Sequence, residues 1–154
     1  MKRILLYALL FASLSLNAQT WTIKNNELKL TKPIEFVSGS AKLKVESDAA
    51  LEEIAAYLNA KTYITLMRVE GHVDAPSNSQ ALSEQRAVAV GKWLVDHGID
   101  CKRIIVVGFG NTKPISEIKA ENNRISVVNA AVKDRPIGGM PVDGGGRVAG
   151  NLCK

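Results

Sequence analysis

Two charged residues, Asp74 and Arg86, have the types and the spacing to form a binding site. Asp74 lies in a polar loop after a strand predicted at residues 63–70, and Arg86 lies about two turns inside a helix predicted to begin at Ser79. At a helical rise of about 1.5 Å per residue, Arg86 lies roughly 10 Å along the axis from Ser79. Because helical side chains lean toward the N-terminus, the arginine can reach back to the loop that carries Asp74. The two charges can therefore meet.

An acid and a guanidinium at the open N-terminus of a helix suit a ligand that carries both an amine and a carboxylate. Arg86 would bind the carboxylate through paired hydrogen bonds, Asp74 would accept from the ammonium, and the helix N-terminus would favour the anion. The same two residues could instead pair with each other and brace the loop. The spacing favours neither interpretation.

His72 and Asp74 form an H-x-D pattern, so an Asp/His-dependent hydrolase is a further hypothesis. The sequence has no G-x-S-x-G or H-E-x-x-H motif to accompany it. We therefore expect His72 to be a strand-end residue hydrogen-bonded to its own loop, and we predict no catalytic residue. With two histidines, two cysteines and no C-x-x-C pattern, the chain lacks the ligands for zinc. No metal or other cofactor is predicted.

The elements that position Asp74 and Arg86 alternate between strands and helices. Residues 19–33 reach Pro33 and suggest a lead-in or edge strand. A first helix follows Ser47 as its N-cap and ends near Asn59, and a second runs from Ser79 to a stop at Gly98. Further strands are predicted at residues 34–37, 63–70, 103–107 and 124–132, with one short helical turn within residues 114–122. This order predicts an α/β two-layer sandwich.

The N-terminus has the pattern of a secretory signal peptide. Basic residues Lys2 and Arg3 precede an apolar run at residues 4–16 that is too short to span a bilayer, and Ala18 is a plausible cleavage position. The whole chain has 20 basic and 15 acidic residues, a net charge of +5. Cleavage after residue 18 removes two of the basic residues and leaves a net charge of +3 on one domain. The basic residues are scattered, so no nucleic-acid partner is predicted.

Cys101 and Cys153 would lie in an oxidising compartment after export, where two cysteines can form a disulfide. An internal bridge is our first expectation. An intermolecular bond, or none, stays open because the glycine-rich stretch before Cys153 cannot bury enough apolar surface to order itself.

Several short segments occur in an order that resembles one protein family. They are PIEF at residues 33–36, SGSAKL at 38–43, EGHVD at 70–74, LSEQRA at 82–87, GFGNTKP at 108–114 and NNRI at 122–125. Over roughly residues 28–132 the chain resembles the OmpA-like C-terminal domain family. The resemblance implies a βαβαβ-type sandwich, here with an additional short helix and last strand, that lies in the periplasm and binds peptidoglycan non-covalently without catalysis.

The resemblance also implies roles for individual residues. In this family the aspartate of the GH-T-D segment and the arginine of the L-S-x-x-R-A segment hold the diaminopimelate of the stem peptide, which assigns these roles to Asp74 and Arg86. The other ligand-binding positions implied by the match are Ser38, Gly39, Val73, Ser79, Asn123 and Arg124, with Asn122 beside them. Val73 stands where threonine is usual and Ser79 where asparagine is usual. The loop between Asp74 and Leu82 is shorter than the usual pattern.

The sequence thus predicts a signal peptide (residues 1–18), a lead-in or edge strand (19–33), an OmpA-like domain (34–132) and a flexible glycine-rich tail (133–154). The predicted function is peptidoglycan binding in the periplasm through diaminopimelate, which would anchor the protein to the cell wall. The alternative is a structural or interaction domain that has lost this ligand. Its partner would be an outer-membrane or other envelope protein.

Overall fold

The computed structural model of the chain describes residues 20–75, 77–133, 135–138 and 144–154. The predicted signal peptide lies outside these residues. The helices are α1 (Asp48–Ala60) and α2 (Ser79–Asp96). The strands are β1 (Thr22–Lys24), β2 (Glu27–Lys29), β3 (Ile64–His72), β4 (Ile104–Gly108), β5 (Arg124–Val132), β6 (Arg135–Pro136) and β7 (Arg147–Val148). Short 3₁₀ turns occupy Val45–Ser47, Cys101–Arg103 and Lys119–Asn122.

The described strands form one mixed sheet in the order β1-β2-β5-β3-β4-β7, with β6 paired to β5. β3 is central: it pairs parallel with β4 and antiparallel with β5. A parallel pair needs a crossover connection, and α2 supplies it. The chain therefore places the loop after β3 and the start of α2 at one end of the sheet, where Asp74 lies.

Both helices cover the same face of the sheet. Met67 and Val69 of β3 and Val127 of β5 point toward them, because side chains two residues apart lie on the same face of a regular strand. The apolar core between the layers includes Leu51, Ile54 and Leu58 of α1, Met67 and Val69 of β3, Ala87, Val90 and Leu94 of α2, Val106 of β4 and Val127 of β5. The predicted α/β two-layer sandwich is confirmed.

Two glycines let the N-terminal half of α2 lie directly on the sheet. A Cβ atom built on Gly71 of β3 would lie 2.0 Å from the carbonyl oxygen of Ser83, and one on Gly108 would lie 2.4 Å from Cγ of Glu84. No side chain other than hydrogen fits at either position. This close contact fixes the height and direction of the helix turn that carries Arg86.

The predicted helices and most predicted strands agree with the structure. α2 begins at Ser79 as expected, β5 spans the predicted residues 124–132, and Gly98 follows the end of α2 with a φ of 91°. Ser47 directly precedes α1, but its hydroxyl makes no cap hydrogen bond. It bonds instead to the backbone nitrogen and carbonyl of Glu35, at 2.8 and 2.9 Å.

The strand predicted at residues 34–37 is wrong. Its only ladder contact among the described residues is an isolated bridge between Phe36 and Leu43. Val37 N bonds to the Lys42 carbonyl and Lys44 N bonds to the Glu35 carbonyl, so the segment folds back on the loop after it. Because these local bonds satisfy its backbone, the β1–β2 hairpin takes the place beside β5 instead.

The flexible tail predicted from residue 133 is also wrong for the residues that the structure describes there. β6 pairs with β5, β7 pairs with β4, and Cys153 forms a disulfide with Cys101 across 52 residues of sequence. Composition indicated flexibility because the tail has little apolar surface of its own. Strand pairing and the covalent bond supply the order that composition does not.

Candidate binding site

A cleft of about 550 Å³ opens where the loop after β3, the helix α2 and the segment around residues 33–39 meet. Five of the predicted site residues line it: Ser38, Gly39, Val73, Arg86 and Asn123. The remaining lining residues are Pro33, Ile34, Glu35, Phe36, Ala75 and Leu82. The cleft thus combines an apolar wall with few polar groups, as small-molecule sites do.

The Arg86 side chain is fixed through its Nε atom, while its terminal nitrogens face the cleft. Its Nε donates to the Ser40 carbonyl at 3.0 Å, and its guanidinium carbon lies 4.8 Å from the centre of the Phe36 ring. Burial lowers the pKa of Arg86 from its ordinary value, yet a guanidinium stays protonated at neutral pH. Among the described residues, neither terminal nitrogen of Arg86 has a hydrogen-bond partner. The result is a partly desolvated cation that faces the cleft.

Asp74 is fixed by two asparagines that precede β5. Asn122 Nδ2 donates to Asp74 Oδ2 at 3.0 Å, and the Asp74 backbone nitrogen donates to Asn123 Oδ1 at 3.3 Å. The buried Asn122 amide also bonds to the backbone of Ile115 and Ser116. The loop before β5 therefore determines where the Asp74 carboxylate lies; Asp74 itself does not line the cleft, although its neighbours Val73 and Ala75 do.

Asp74 and Arg86 form no ion pair with each other within the described part of the chain. The ion pairs found there join Lys29 to Glu27, Lys44 to Glu35, and Glu70 to both Arg68 and His72. Arg86 is bound by a backbone carbonyl and Asp74 by amide groups. Neither charge is neutralised by an opposite charge.

Besides Asp74, two predicted site residues do not line the cleft. Arg124, the first residue of β5, lines a neighbouring cleft of about 340 Å³, to which Asn123 also contributes. It donates to the carbonyls of Lys113 and Asn122, at 3.2 and 3.5 Å. Ser79, the first residue of α2, lines neither cleft. The helix contributes Leu82 and Arg86 from its following turns instead.

The OmpA family model matches residues 35–127, which include both helices, β3, β4 and most of the residues that line the cleft. The chain belongs to the OmpA family. Its relatives include the probable lipoprotein YiaD of Escherichia coli (strain K12), 33% identical over 109 residues that cover 65% of this chain and 49% of YiaD. YtxE of Bacillus subtilis (strain 168) is 32% identical over 115 residues that cover 66% of this chain and 46% of YtxE.

A solved structure of the peptidoglycan-associated lipoprotein from Burkholderia pseudomallei has the same fold. It superposes with a TM-score of 0.54 at 25% identity, over 63% of this chain and 89% of that one. The chain spans about half the length of the curated relatives named above. In this OmpA-family domain, residues 20–34 and the C-terminal segment from residue 128 lie outside the family match.

The histidine of the EGHVD segment belongs to a buried charged cluster rather than to the cleft. His72 Nε2 lies 3.2 Å from Glu70 Oε2, and Arg68 Nε donates to Glu70 Oε1 at 2.6 Å. His72 also stacks on Phe109, with ring centres 5.3 Å apart. The predicted bond of His72 to its own loop is therefore wrong. Alternation along β3 points residues 68, 70 and 72 to the face away from the helices.

The cluster shifts the pKa values of both titrating groups. Burial lowers the pKa of His72, and the nearby charges of Arg124 and Lys113 act in the same direction, while the bond to Glu70 opposes them. Burial alone would raise the pKa of Glu70, but the hydrogen bond from His72 and the charge of Arg68 outweigh it and lower that pKa. His72 is thus neutral with Nε2–H donating to an ionised Glu70.

Sequence reasoning missed two contacts that hold Arg86. Phe36 lies in the PIEF segment, whose aromatic residue is the only sequence signal for its packing against the guanidinium. The Ser40 contact uses a backbone carbonyl, so no side-chain pattern could have revealed it. Within the described residues there is no group of three or more His, Cys, Asp or Glu side chains that could hold a metal ion. Neither described helix has the length and apolar character needed to cross a bilayer.

Proposed function

We propose that this domain binds peptidoglycan non-covalently in the periplasm through the diaminopimelate of its stem peptide, and so anchors the protein to the cell wall. One observation carries the proposal: Arg86 presents its free terminal nitrogens to an open cleft whose wall includes Val73 and Ala75, the sequence neighbours of Asp74, and the two charges are not paired with each other. An internal brace would have joined them. An unpaired cation in the cleft and an unpaired carboxylate at its margin suit a zwitterionic ligand.

The free end of diaminopimelate has an ammonium and a carboxylate on the same carbon. Arg86 would bind that carboxylate in the forked geometry that guanidinium groups favour. Asp74, held by Asn122 and Asn123, would accept from the ammonium. Asp74 and Arg86 need not reorganise much, because other residues already orient both of them, and this lowers the cost of binding.

Family membership supports the same ligand. The similar structure from Burkholderia pseudomallei is that of a lipoprotein whose name describes it as peptidoglycan-associated. The segments that surround Asp74 and Arg86 fall within the matched residues 35–127. The N-terminal signal pattern fits a location outside the cytoplasm, where this polymer is found.

The decisive experiment measures sedimentation of the mature protein with purified sacculi that contain diaminopimelate. Arg86→Ala should weaken binding at least about 30-fold, because removing one member of a desolvated charge pair costs about 2 kcal/mol or more. Arg147→Ala is the matched control, since it removes an exposed arginine on β7 that lines neither cleft. The control should pellet like the parent.

Sacculi whose stem peptides carry lysine test the ligand itself. Lysine keeps the amine but lacks the carboxylate that Arg86 is proposed to bind, so the parent should bind these sacculi poorly. Equal binding to both kinds of sacculi, or an Arg86→Ala variant that pellets like the parent, would show that the proposal is wrong. Absence of binding by the parent would favour an envelope interaction domain without this ligand.

A further inference from the structure

A second cleft adjoins the first and is more basic. It is lined by residues 27–34 of the N-terminal hairpin and its exit, and by Asn123, Arg124 and Ile125 at the start of β5. Pro33, Ile34 and Asn123 line both clefts, so the two openings share a wall. A ligand seated beside Arg86 can therefore extend into the second cleft without leaving the surface.

The charges of the second cleft are unbalanced. Its ionisable lining residues are Glu27, Lys29, Lys32 and Arg124. Lys29 pairs with Glu27, so the glutamate is already engaged by a cation in its own hairpin. Lys32 is exposed and has no hydrogen bond or ion pair within the described residues. Two cations are left without a paired carboxylate.

Arg124 is the less hydrated of these two cations. It is half-buried, and within the described residues its side chain donates hydrogen bonds to two neutral carbonyl oxygens, those of Lys113 and Asn122. Burial lowers the pKa of Arg124, while the charges of Glu27 and Glu70 oppose that shift. A cation that has lost part of its hydration and has no paired anion gains more from an incoming carboxylate than a fully exposed one does.

We propose that the second cleft binds a further carboxylate of the same acidic peptide, through Lys32 and Arg124, while the zwitterionic end occupies the cleft of Arg86 and Asp74. This inference rests on the proposed function and adds a second anionic subsite to it. Lys32 and most of the second cleft precede residue 35, where the family match begins. The subsite is therefore a feature of this chain's own N-terminal hairpin.

Stem peptides offer such a group, because the γ-linked glutamate that precedes diaminopimelate keeps a free carboxylate. Three soluble probes separate the subsites: free diaminopimelate, the tripeptide L-Ala-γ-D-Glu-diaminopimelate, and the same tripeptide with the glutamate carboxylate amidated. The parent should bind the acidic tripeptide about tenfold more tightly than the amidated one, the gain expected for one charge-assisted contact. Its affinity for free diaminopimelate provides the reference for the first cleft.

Lys32→Glu should remove this tenfold discrimination and leave the affinity for free diaminopimelate unchanged. Lys24→Glu is the matched control, because it reverses the charge of another exposed lysine in the same hairpin that does not line the cleft. Arg124→Gln should also reduce the discrimination, with thermal unfolding measured to verify that the variant is folded. Lys32 is the primary test because its side chain makes no hydrogen bond or ion pair within the described residues, so its replacement should not affect folding.

The outcomes separate this inference from the function on which it rests. If the parent binds free diaminopimelate but does not distinguish the two tripeptides, the second subsite is wrong and the proposed function stands. The same conclusion follows if Lys32→Glu keeps the discrimination. If the parent binds none of the three probes, the proposed function has failed and the second subsite with it.

Discussion

The two faces of the sheet are stabilised by different kinds of interaction. On the helix-covered face, Met67 and Val69 of β3 are fully buried among apolar side chains of α1 and α2. On the opposite face, the next residues of the same strand are Arg68, Glu70 and His72, which are buried as a charged cluster. One strand thus takes part in an ordinary core on one side and in an ionic network on the other.

The C-terminal segment contributes to both faces. Arg68 Nη2 donates to the Gly138 carbonyl at 2.8 Å, β7 pairs with β4, and Ala149 and Leu152 pack against the apolar core. Cys153 then joins the segment covalently to Cys101. Apolar burial does not depend on proton or thiol chemistry, but ion pairs and a disulfide do. The charged cluster should therefore respond to pH and the disulfide to reductant, whereas the apolar core should respond to neither.

The largest effect is expected from a cavity on the helix-covered face. Leu51 of α1 is completely buried, so Leu51→Ala should lower the free energy of unfolding by about 2–5 kcal/mol. Urea denaturation of the parent and the variant measures this difference. The loss should be the same with and without reductant. A loss below about 1 kcal/mol would mean that this side of α1 packs more loosely than the contacts indicate.

The next largest effect is expected from the disulfide that holds the C-terminal segment. The double variant Cys101→Ser/Cys153→Ser should lose about 2–4 kcal/mol, because the disulfide closes a long loop and restricts the unfolded chain. Urea denaturation again measures the loss. Dithiothreitol should destabilise the parent by a similar amount and leave the double variant unchanged. Equal stability of the parent with and without reductant would show that the disulfide adds nothing to stability.

The helix-covered face was the part of the fold that could be predicted from the sequence. Its signal is local, because apolar residues of α1 and α2 recur at helical spacing and β5 alternates along its length. The segment at residues 34–37 and the C-terminal segment depend on distant partners. Residues 34–37 form backbone hydrogen bonds with the loop at residues 42–47, which folds back on them, and β7 pairs with β4. Neither contact is visible in the local sequence pattern.

The candidate site was predictable to a different degree in each part. Helix geometry brought Arg86 toward the loop of Asp74, and the ordered family segments added Ser38, Gly39 and Asn123. The sequence left open whether Asp74 and Arg86 pair, because that depends on the Ser40 carbonyl and the Asn122 amide taking up their other bonds. The start of β5 at Arg124 was predicted, but the place of Arg124 in a second cleft was not, because the other wall of that cleft is residues 27–34, which are distant in sequence.

The smallest effect is expected from a single proton on the ionic face. The folded pKa of His72 is lowered, so below about pH 6.5 the unfolded chain binds a proton that the folded chain does not. Stability should therefore fall as the pH is lowered from 7 to 5, by at most about 1.4 kcal/mol per pH unit for one group. Protonation would also place a donor on Nδ1, which is buried and has no partner among the described residues.

His72→Gln tests this because the amide can still donate to Glu70 but cannot take up a proton. The variant should have a flatter stability profile between pH 7 and 5 in urea denaturation, whatever its stability at pH 7. Glu70 does not interfere in this window, because its lowered pKa confines its own loss of stability to below about pH 4.5. Leu51→Ala is the control from the other face: it should be less stable at every pH and keep the parent's slope. If His72→Gln also keeps that slope, the pH response does not come from this cluster.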